Sequence, residues 1–393
     1  MKARILVWTL LIASLVILSQ LTTRFMRPEW LGRDDFVEYW SAGKLNATGG
    51  NPYDPSQMLA LQNQVIKQIE PLMMWNLPWS LALITPFGVL PLFPASILWF
   101  LLNIILVFIA ANFAWKYIGG SPNKVWIAWL VSFLFGPTLY VLKIGQIGPL
   151  LLLGVVGFLF FGQKDKWWLA GASLSLITIK PHLLYIVLLA IVVEALFHKN
   201  YKALGGIISG ILGMQLISCV LNPSLVSQYY YAITRYPPND FITATIGAAL
   251  RIVFGAEKFW LQLLPTLVGS LWFLYYWWIR RNNWKWGDQI SLLMLVSVAT
   301  TAYGWTFDQV VLVIPAIQVA LWCSEARWSL KILLLYIPYL VVSLLIIVLR
   351  VYQSSFWWSG AGFTLWYLWA DRWIKGDDSP SILEMGLNAT KNQ

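Results

Sequence analysis

The stretch GRDDFVEYWSAGKLNATGGNPYDP, residues 32–55, follows closely on the apolar run of residues 5–21. It brings four acidic side chains next to a hydrophobic segment that could cross a bilayer. Carboxylates beside lipid are costly unless a partner, a helix cap or a function holds them there. The rest of the chain is predicted to be a hydrophobic scaffold that presents this stretch at a membrane surface.

The composition indicates a membrane protein. Of the 393 residues, 59% are hydrophobic and 11% are charged, whereas a soluble domain carries about 25% charged residues. Aromatic residues reach 16%, which suits side chains that prefer the boundary between water and lipid. The sequence therefore predicts an all-α, polytopic protein of the cell membrane.

Charge and the few reactive residues exclude several functions. The net charge of +10 comes from cations in short loops between apolar runs, where orientation signals belong. No basic run with interleaved aromatics stands outside those runs, so nucleic acid is not expected as a partner. Two cysteines and two histidines stand apart in the sequence, so neither a metal nor a permanently bound cofactor is expected.

The positive charges also set the predicted topology. Lys2 and Arg4 precede residues 5–21, which predicts a retained signal anchor with a cytoplasmic N-terminus. About twelve spans then place the cationic loops and both termini in the cytoplasm. These spans cover about residues 5–21, 93–115, 125–140, 147–161, 167–179, 183–197, 204–221, 259–279, 289–303, 310–323, 330–349 and 356–373.

In this topology, residues 1–376 form one transmembrane domain and residues 377–393 a disordered cytoplasmic tail. The extracytoplasmic loops cover about residues 24–75 and 222–258. The proline-broken run 76–90 is expected to dip into the membrane without crossing it. Several spans have fewer than the roughly 20 residues that cross a bilayer. Such short helices should end inside the protein and leave a cavity open to the outer leaflet.

Two acids of the first loop can be interpreted in two ways. Asp35 could cap an interfacial helix, with Glu38 as its capping-box partner. Alternatively, Asp35 or its neighbour Asp34 is a general base that faces the membrane surface. The motif at residues 49–55 is by itself a turn rich in glycine and proline.

The candidate cations are open to two interpretations as well. Lys143 and Lys180 each stand at the outer end of a short predicted helix, where they could snorkel to the interface or hold a phosphate. Arg235 and Arg251 in the second loop are further candidates for phosphate contact. Asp308 could cap the helix that follows it or face a substrate.

Several short motifs resemble those of glycosyltransferase family 87, which is of the glycosyltransferase-C type. The resemblance covers about residues 34–315. Each motif is short, but their order and spacing together are characteristic. The matching stretches are DFVEYWSAG at 35–43, GGNPYDP at 49–55, NLPW at 76–79, GQIGPLL at 145–151, IKPHLL at 179–184, ALR at 249–251 and GWTFDQ at 304–309.

The resemblance implies an inverting transfer of a hexose, mannose in the first place, from a polyprenyl-phosphate carrier at the extracytoplasmic face. The acceptor would be a lipid or a glycan. The match makes Asp35 the base, with Asp34 as second choice. The implied phosphate-binding residues are Lys143, Lys180, Arg235 and Arg251. The implied substrate-binding residues are Tyr39, Tyr53, Asn76, Gln146, His182, Trp305 and Asp308.

Two departures leave the sugar and the acceptor open. Thr243-Ala244-Thr245 stands where the family often has an asparagine motif, and Phe307-Asp308 stands where a histidine is frequent. The alternative function is a transporter or flippase of lipid-linked sugars, which would use the same cationic cavity without a base. A scaffold without catalysis would tolerate loss of Lys180 and Arg251.

Overall fold

The computed structural model describes residues 35–67, 69–238, 241–326, 330–349 and 353–375. The predicted span at 5–21, the candidate base Asp34 and the tail at 377–393 lie outside these residues.

Every regular element in the described ranges is helical, which confirms the all-α prediction. Short 3-10 turns extend or join several of the α-helices. The α-helices are α1 (Phe36–Ala47), α2 (Pro55–Gln62), α3 (Leu81–Gly88), α4 (Leu92–Tyr117), α5 (Val125–Leu134), α6 (Gly136–Ile144), α7 (Gly148–Gly162), α8 (Trp167–Leu174), α9 (Tyr185–His198), α10 (Lys202–Leu221), α11 (Leu225–Arg235), α12 (Ile246–Phe254), α13 (Trp260–Arg280), α14 (Trp286–Thr300), α15 (Val313–Glu325), α16 (Leu330–Val348) and α17 (Ser359–Lys375).

Three helical segments of the described chain are long and apolar enough to cross a membrane. They are Leu92–Tyr117, Lys202–Leu221 and Thr306–Glu325. The pair Pro122–Leu134 and Gly136–Ile144 passes the same test but bends by 62°, so it is a fourth span or a re-entrant loop. These helices support a membrane protein, while the count of twelve spans and the glycosyltransferase-C fold stay predictions.

The proline-broken run at 76–90 forms only a 3-10 turn, Pro78–Ser80, and the eight-residue α3. Eight helical residues extend about 12 Å, which is less than half of a hydrocarbon core of about 30 Å. This element is therefore too short to cross by itself.

The described residues form two compact units. The first contains those of Met1–Ile105, Leu142–Ile147 and Ile211–Pro238. The second contains those of Leu106–Val141, Gly148–Gly210 and Asn239–Gln393.

In the first unit, α1 lies directly on α3. A Cβ atom at Gly88 would overlap the backbone of Lys44, so the helices approach closely because this position has no side chain. Trp40 Nε1 donates to the Leu90 carbonyl at 2.8 Å, and Asn46 Nδ2 donates to Thr85 Oγ1 at 3.0 Å. This packing fixes α1 and therefore the position of Asp35, which precedes it.

In the second unit, small residues on α7 and α8 permit close packing. A Cβ atom at Gly157 would come within 2.7 Å of the Ser173 side chain, and one at Gly154 within 3.1 Å of the Leu176 side chain. The 3-10 turn Ser175–Ile179 continues α8 and leads directly to Lys180.

Candidate active site

The side chain of Asp35 does not cap α1. It makes no hydrogen bond to the first turn of the helix within the described residues, so the prediction of a capping box with Glu38 is wrong. The Asp35 backbone N–H instead donates to the Ile144 carbonyl at 3.2 Å. The start of α1 is thus joined to the last residue of α6, where the loop that contains Gln146 begins.

The carboxylate of Asp35 is oriented by that loop. Gln146 Nε2 donates to Asp35 Oδ2 at 2.6 Å, and Tyr39 Oη donates to Gln146 Oε1 at 2.5 Å. A carboxylate only accepts, so the amide nitrogen of Gln146 must face Asp35 and its oxygen must face the tyrosine hydroxyl. Tyr39 is completely buried and Gln146 nearly so, while Asp35 is half-buried. A relay of two buried residues, Tyr39 and Gln146, therefore fixes the direction of a half-buried acid.

The loop that carries Gln146 is itself rigid. Gly145 has a φ of +77°, a conformation that other residues rarely adopt. Trp99 Nε1 donates to the Gly145 carbonyl at 2.7 Å. A Cβ atom at Gly145 would come within 2.7 Å of Phe36 Cβ, so the loop lies directly against the first residue of α1. Trp99 was not predicted, because a tryptophan inside a long apolar span carries no local functional signal.

Other predicted residues of the first unit have different positions. Tyr53 is buried, its hydroxyl donates to the Asn76 carbonyl at 3.1 Å, and its ring meets Tyr229 edge-on at 5.0 Å. Desolvation raises the pKa of Tyr53 well above its usual value, and Tyr229 raises it further. Tyr53 therefore closes the first loop onto residue 76, and its predicted substrate contact stays a prediction. Lys143 and Arg235 are exposed.

In the second unit, Lys180 and Asp308 form a buried ion pair. Lys180 Nζ lies 2.7 Å from Asp308 Oδ1, and the two side chains are 10% and 2% exposed. Asp308 Oδ2 also accepts from the Trp305 backbone N–H at 3.0 Å, at the start of the 3-10 turn Thr306–Leu312. Asp308 thus lies inside this turn and bonds the backbone of its first flanking residue, Trp305, so it does not, as one interpretation had it, cap a helix that begins after it. The Lys180 charge is compensated within the protein.

Arg251 is likewise engaged by its surroundings. Its Nε and Nη2 atoms donate to the Ala256 carbonyl at 2.9 and 2.7 Å, and Nη1 donates to Gln262 Oε1 at 3.4 Å. The guanidinium also lies 5.6 Å from the centre of the Phe259 ring. Arg251 therefore holds the turn that ends α12.

His182 is two residues after Lys180 and interacts electrostatically with both members of the ion pair. Desolvation lowers the pKa of His182 to about 4; Asp308 opposes this effect, and Lys180 adds to it. Its buried Nε2 atom has no hydrogen-bond partner among the described residues. The imidazole is therefore neutral at neutral pH. Trp305 is half-buried and stacks on Phe307 at 5.8 Å.

The described residues contain no group of three or more histidine, cysteine, aspartate or glutamate side chains arranged to hold a metal ion. Asp35 is a half-buried acid that accepts from Gln146, and Lys143 and Arg235 are exposed cations of the same unit.

A family model described as glycosyltransferase family 87 matches residues 77–300, which is more than half of the chain. The match includes Gln146, Lys180 and Arg251, but it begins after Asp35 and ends before Asp308. No curated protein and no solved structure matches the chain. The relay at Asp35 therefore stands on the geometry and the motif, independently of the matched segment.

Proposed function

The chain belongs to glycosyltransferase family 87 and is therefore a glycosyltransferase; from this premise we propose that it transfers a hexose, mannose in the first place, from a polyprenyl-phosphate carrier to a lipid or glycan acceptor. Asp35 is the general base in this proposal. The observation that carries it is the orientation of the Asp35 carboxylate, which accepts from Gln146 and does not cap its own helix.

In the proposed step, the acceptor hydroxyl gives its proton to a carboxylate oxygen of Asp35. The acceptor oxygen forms a bond with the anomeric carbon while the bond from that carbon to the phosphate oxygen breaks on the opposite side, so the configuration inverts. The electron pair leaves with the lipid phosphate, which gains one negative charge. Base catalysis of this kind contributes about 10²- to 10⁴-fold.

The charge on the departing phosphate requires nearby cations. Lys180 is compensated by Asp308, and Arg251 is engaged by Ala256 and Gln262. Exposed Lys143 and Arg235 belong to the same unit as Asp35. We therefore assign the phosphate to Lys143 and Arg235, and we assign Lys180 and Arg251 to holding the second unit together.

The test uses the purified full-length protein, radiolabelled polyprenyl-phosphate sugars and a membrane lipid extract. We expect transfer by the wild type and a fall in kcat of about 10²- to 10⁴-fold in Asp35→Asn, with donor binding retained. The matched control is Asp54→Asn, because Asp54 is an acid of the same loop that caps α2 through a 2.8 Å bond from Gln57 N–H. Asparagine caps equally well, so this variant should keep its activity.

Full turnover in Asp35→Asn would exclude this residue as the base. Movement of the labelled donor across a vesicle membrane without its consumption would favour a flippase. Absence of transfer from every polyprenyl-phosphate sugar would exclude the proposed donor class.

A further inference from the structure

We propose that a cavity in the second unit binds the zwitterionic headgroup of an aminophospholipid, with the ammonium group inside and the phosphate at the mouth. The cavity has a volume of about 220 Å³. Its polar and aromatic lining comes from Trp167, Glu194, His198, Asn200, Trp284 and Trp286. None of these residues belongs to the proposed active site, so the inference does not rest on the proposed function.

The lining of the cavity includes a carboxylate. The Glu194 side chain is only 13% exposed, and its Oε1 atom accepts from Trp277 Nε1 at 2.5 Å. His198 Nε2 lies 3.5 Å from Glu194 Oε2, and the His198 side chain is 53% exposed. An acid that is removed from water needs compensating charge or hydrogen bonds. Trp277 supplies one hydrogen bond, and an ammonium group that enters the cavity would add a positive charge and further N–H donors.

The walls are aromatic and are held by one another. The rings of Trp284 and Trp286 meet edge-on at 5.6 Å, and Trp286 meets Phe158 edge-on at 4.8 Å. Trp167 packs against the same phenylalanine at 6.2 Å. Tryptophan faces attract organic cations more strongly than other aromatic side chains do, and such walls recognise ammonium groups. Because the rings already support one another, little ordering should be needed on binding.

The charges outside the cavity have the opposite sign. Lys199, Lys202 and Lys285 adjoin lining residues in the chain, and all three are exposed. A small cation alone would be repelled by these lysines, and a small anion would meet Glu194 inside. A zwitterion with its amine inward and its phosphate outward complements both. Phospholipid headgroups lie at the depth where such cations flank the ends of membrane helices.

The test measures lipid retention by the purified full-length protein in native mass spectrometry. The probes are phosphatidylethanolamine, phosphatidylcholine and phosphatidylglycerol, which share acyl chains and differ in the headgroup. We expect about tenfold stronger retention of phosphatidylethanolamine than of phosphatidylglycerol. Glu194→Gln should remove most of this preference. Glu325→Gln, the same change at an exposed acid outside the cavity lining, should leave it intact.

Free phosphoethanolamine separates headgroup recognition from recognition of the acyl chains. Displacement of the bound lipid at millimolar concentration supports the proposal, and failure to displace it overturns the proposal. Phosphatidylcholine carries the same charge but has no N–H to donate, so binding as strong as that of phosphatidylethanolamine overturns the assignment to an aminophospholipid.

If Glu194→Gln does not fold, the preference of the wild type for phosphatidylethanolamine over phosphatidylglycerol decides whether the proposal stands. Equal or stronger binding of phosphatidylglycerol overturns the proposal, as does an unchanged preference in a folded Glu194→Gln protein.

Discussion

At the start of α1, the side chain of Asp35 meets Gln146, a residue 111 positions further along the chain. Gln146 in turn depends on the buried hydroxyl of Tyr39 to fix which end of its amide faces the acid. The two residues therefore act on the carboxylate as one unit, and neither needs to touch the substrate to affect the rate.

Loss of the amide should slow the reaction without weakening binding. We expect Gln146→Leu to lower kcat by about tenfold or more, because a mobile carboxylate spends less time in the productive geometry. KM should stay within about twofold, because the lost interaction positions the base and does not bind the ground state. Tyr39→Phe should have a smaller effect in the same direction.

A double-mutant cycle tests whether Tyr39 acts through Gln146. In the Gln146→Leu background, Tyr39→Phe should cost nothing further, because contacting residues of one network are not additive. Additive losses in kcat would mean that Tyr39 affects the reaction by a separate route.

We expect the loss of one member of the Lys180–Asp308 pair to destabilise the protein. Lys180→Met leaves a buried carboxylate without its cation, and breaking such a pair costs about 3–5 kcal/mol. The double variant Lys180→Met with Asp308→Asn removes both charges and retains an oxygen that can accept from the Trp305 N–H. It should recover to within about 1 kcal/mol of the wild type. Thermal unfolding in detergent measures both differences.

The same variants reveal whether Lys180 also contacts the phosphate. Lys124 is exposed and donates to the Ser324 carbonyl at 2.8 Å, so Lys124→Met is a matched control and should cost less than about 1 kcal/mol. A double variant that is stable but inactive would indicate that Lys180 or Asp308 contacts the substrate. An unstable double variant would contradict the ion-pair explanation.

At the scale of elements, the crossing of α1 and α3 depends on the absence of a side chain at Gly88. Gly88→Ala forces the helices apart, and overpacking of this kind costs about 1–3 kcal/mol. Because Asp35 precedes α1, kcat should fall in the same variant. The unfolding temperature and the turnover rate, measured on one preparation, test the loss of stability and the fall in kcat.

Gly213 in α10 is the control for this substitution. A Cβ atom there would meet nothing within 4 Å, and alanine is the better helix former by about 0.5–1 kcal/mol. Gly213→Ala should therefore be neutral or stabilising. If both variants lose the same stability, close packing at Gly88 is not the cause.

The sequence predicted elements better than it predicted their breaks. The long apolar runs correctly indicated α4 and α10, since hydrophobicity over a whole span is a strong signal. The 62° bend between α5 and α6 was not predicted. It occurs where a Cβ atom on Gly136 would overlap the Ser343 backbone. The Gly136-Pro137 pair is a local signal for such a break, but its contact with the distant Ser343 cannot be seen in the local pattern.

At the scale of the whole molecule, the charge pattern predicts which loops face outward. The test replaces Cys219, which is half-buried, and Cys323, which is buried, by serine. It then introduces Ser56→Cys or Asn123→Cys at exposed positions. An impermeant maleimide should label position 56 in intact cells and position 123 only after permeabilisation.

Labelling of position 123 alone from outside would invert the topology and move the first loop to the cytoplasm. Labelling of both positions from outside would mean an even number of crossings between them and would leave the first loop extracytoplasmic. Labelling of position 123 but not of position 56 from outside would contradict the extracytoplasmic site, even if the relay at Asp35 is intact.

The candidate site was only partly accessible from the sequence. The motif at residues 35–43 identified Asp35, and the motif at 145–151 contained Gln146. The sequence did not show that the amide orients the acid, nor that Lys180 and Asp308 neutralise each other. Both facts depend on pairs more than 100 residues apart. Local propensity carries no information on such pairs, and one sequence offers no second observation of them.

The bond between Gln146 and Asp35 also limits how this protein can be dissected. A peptide of the first loop, or a chimera that receives only residues 32–55, would contain the aspartate without the amide that aims it. Transplanting activity to another scaffold therefore requires the distant glycine–glutamine turn and the tryptophan that anchors it. Inhibitors raised against the isolated loop should recognise a carboxylate whose direction differs from the one in the intact enzyme.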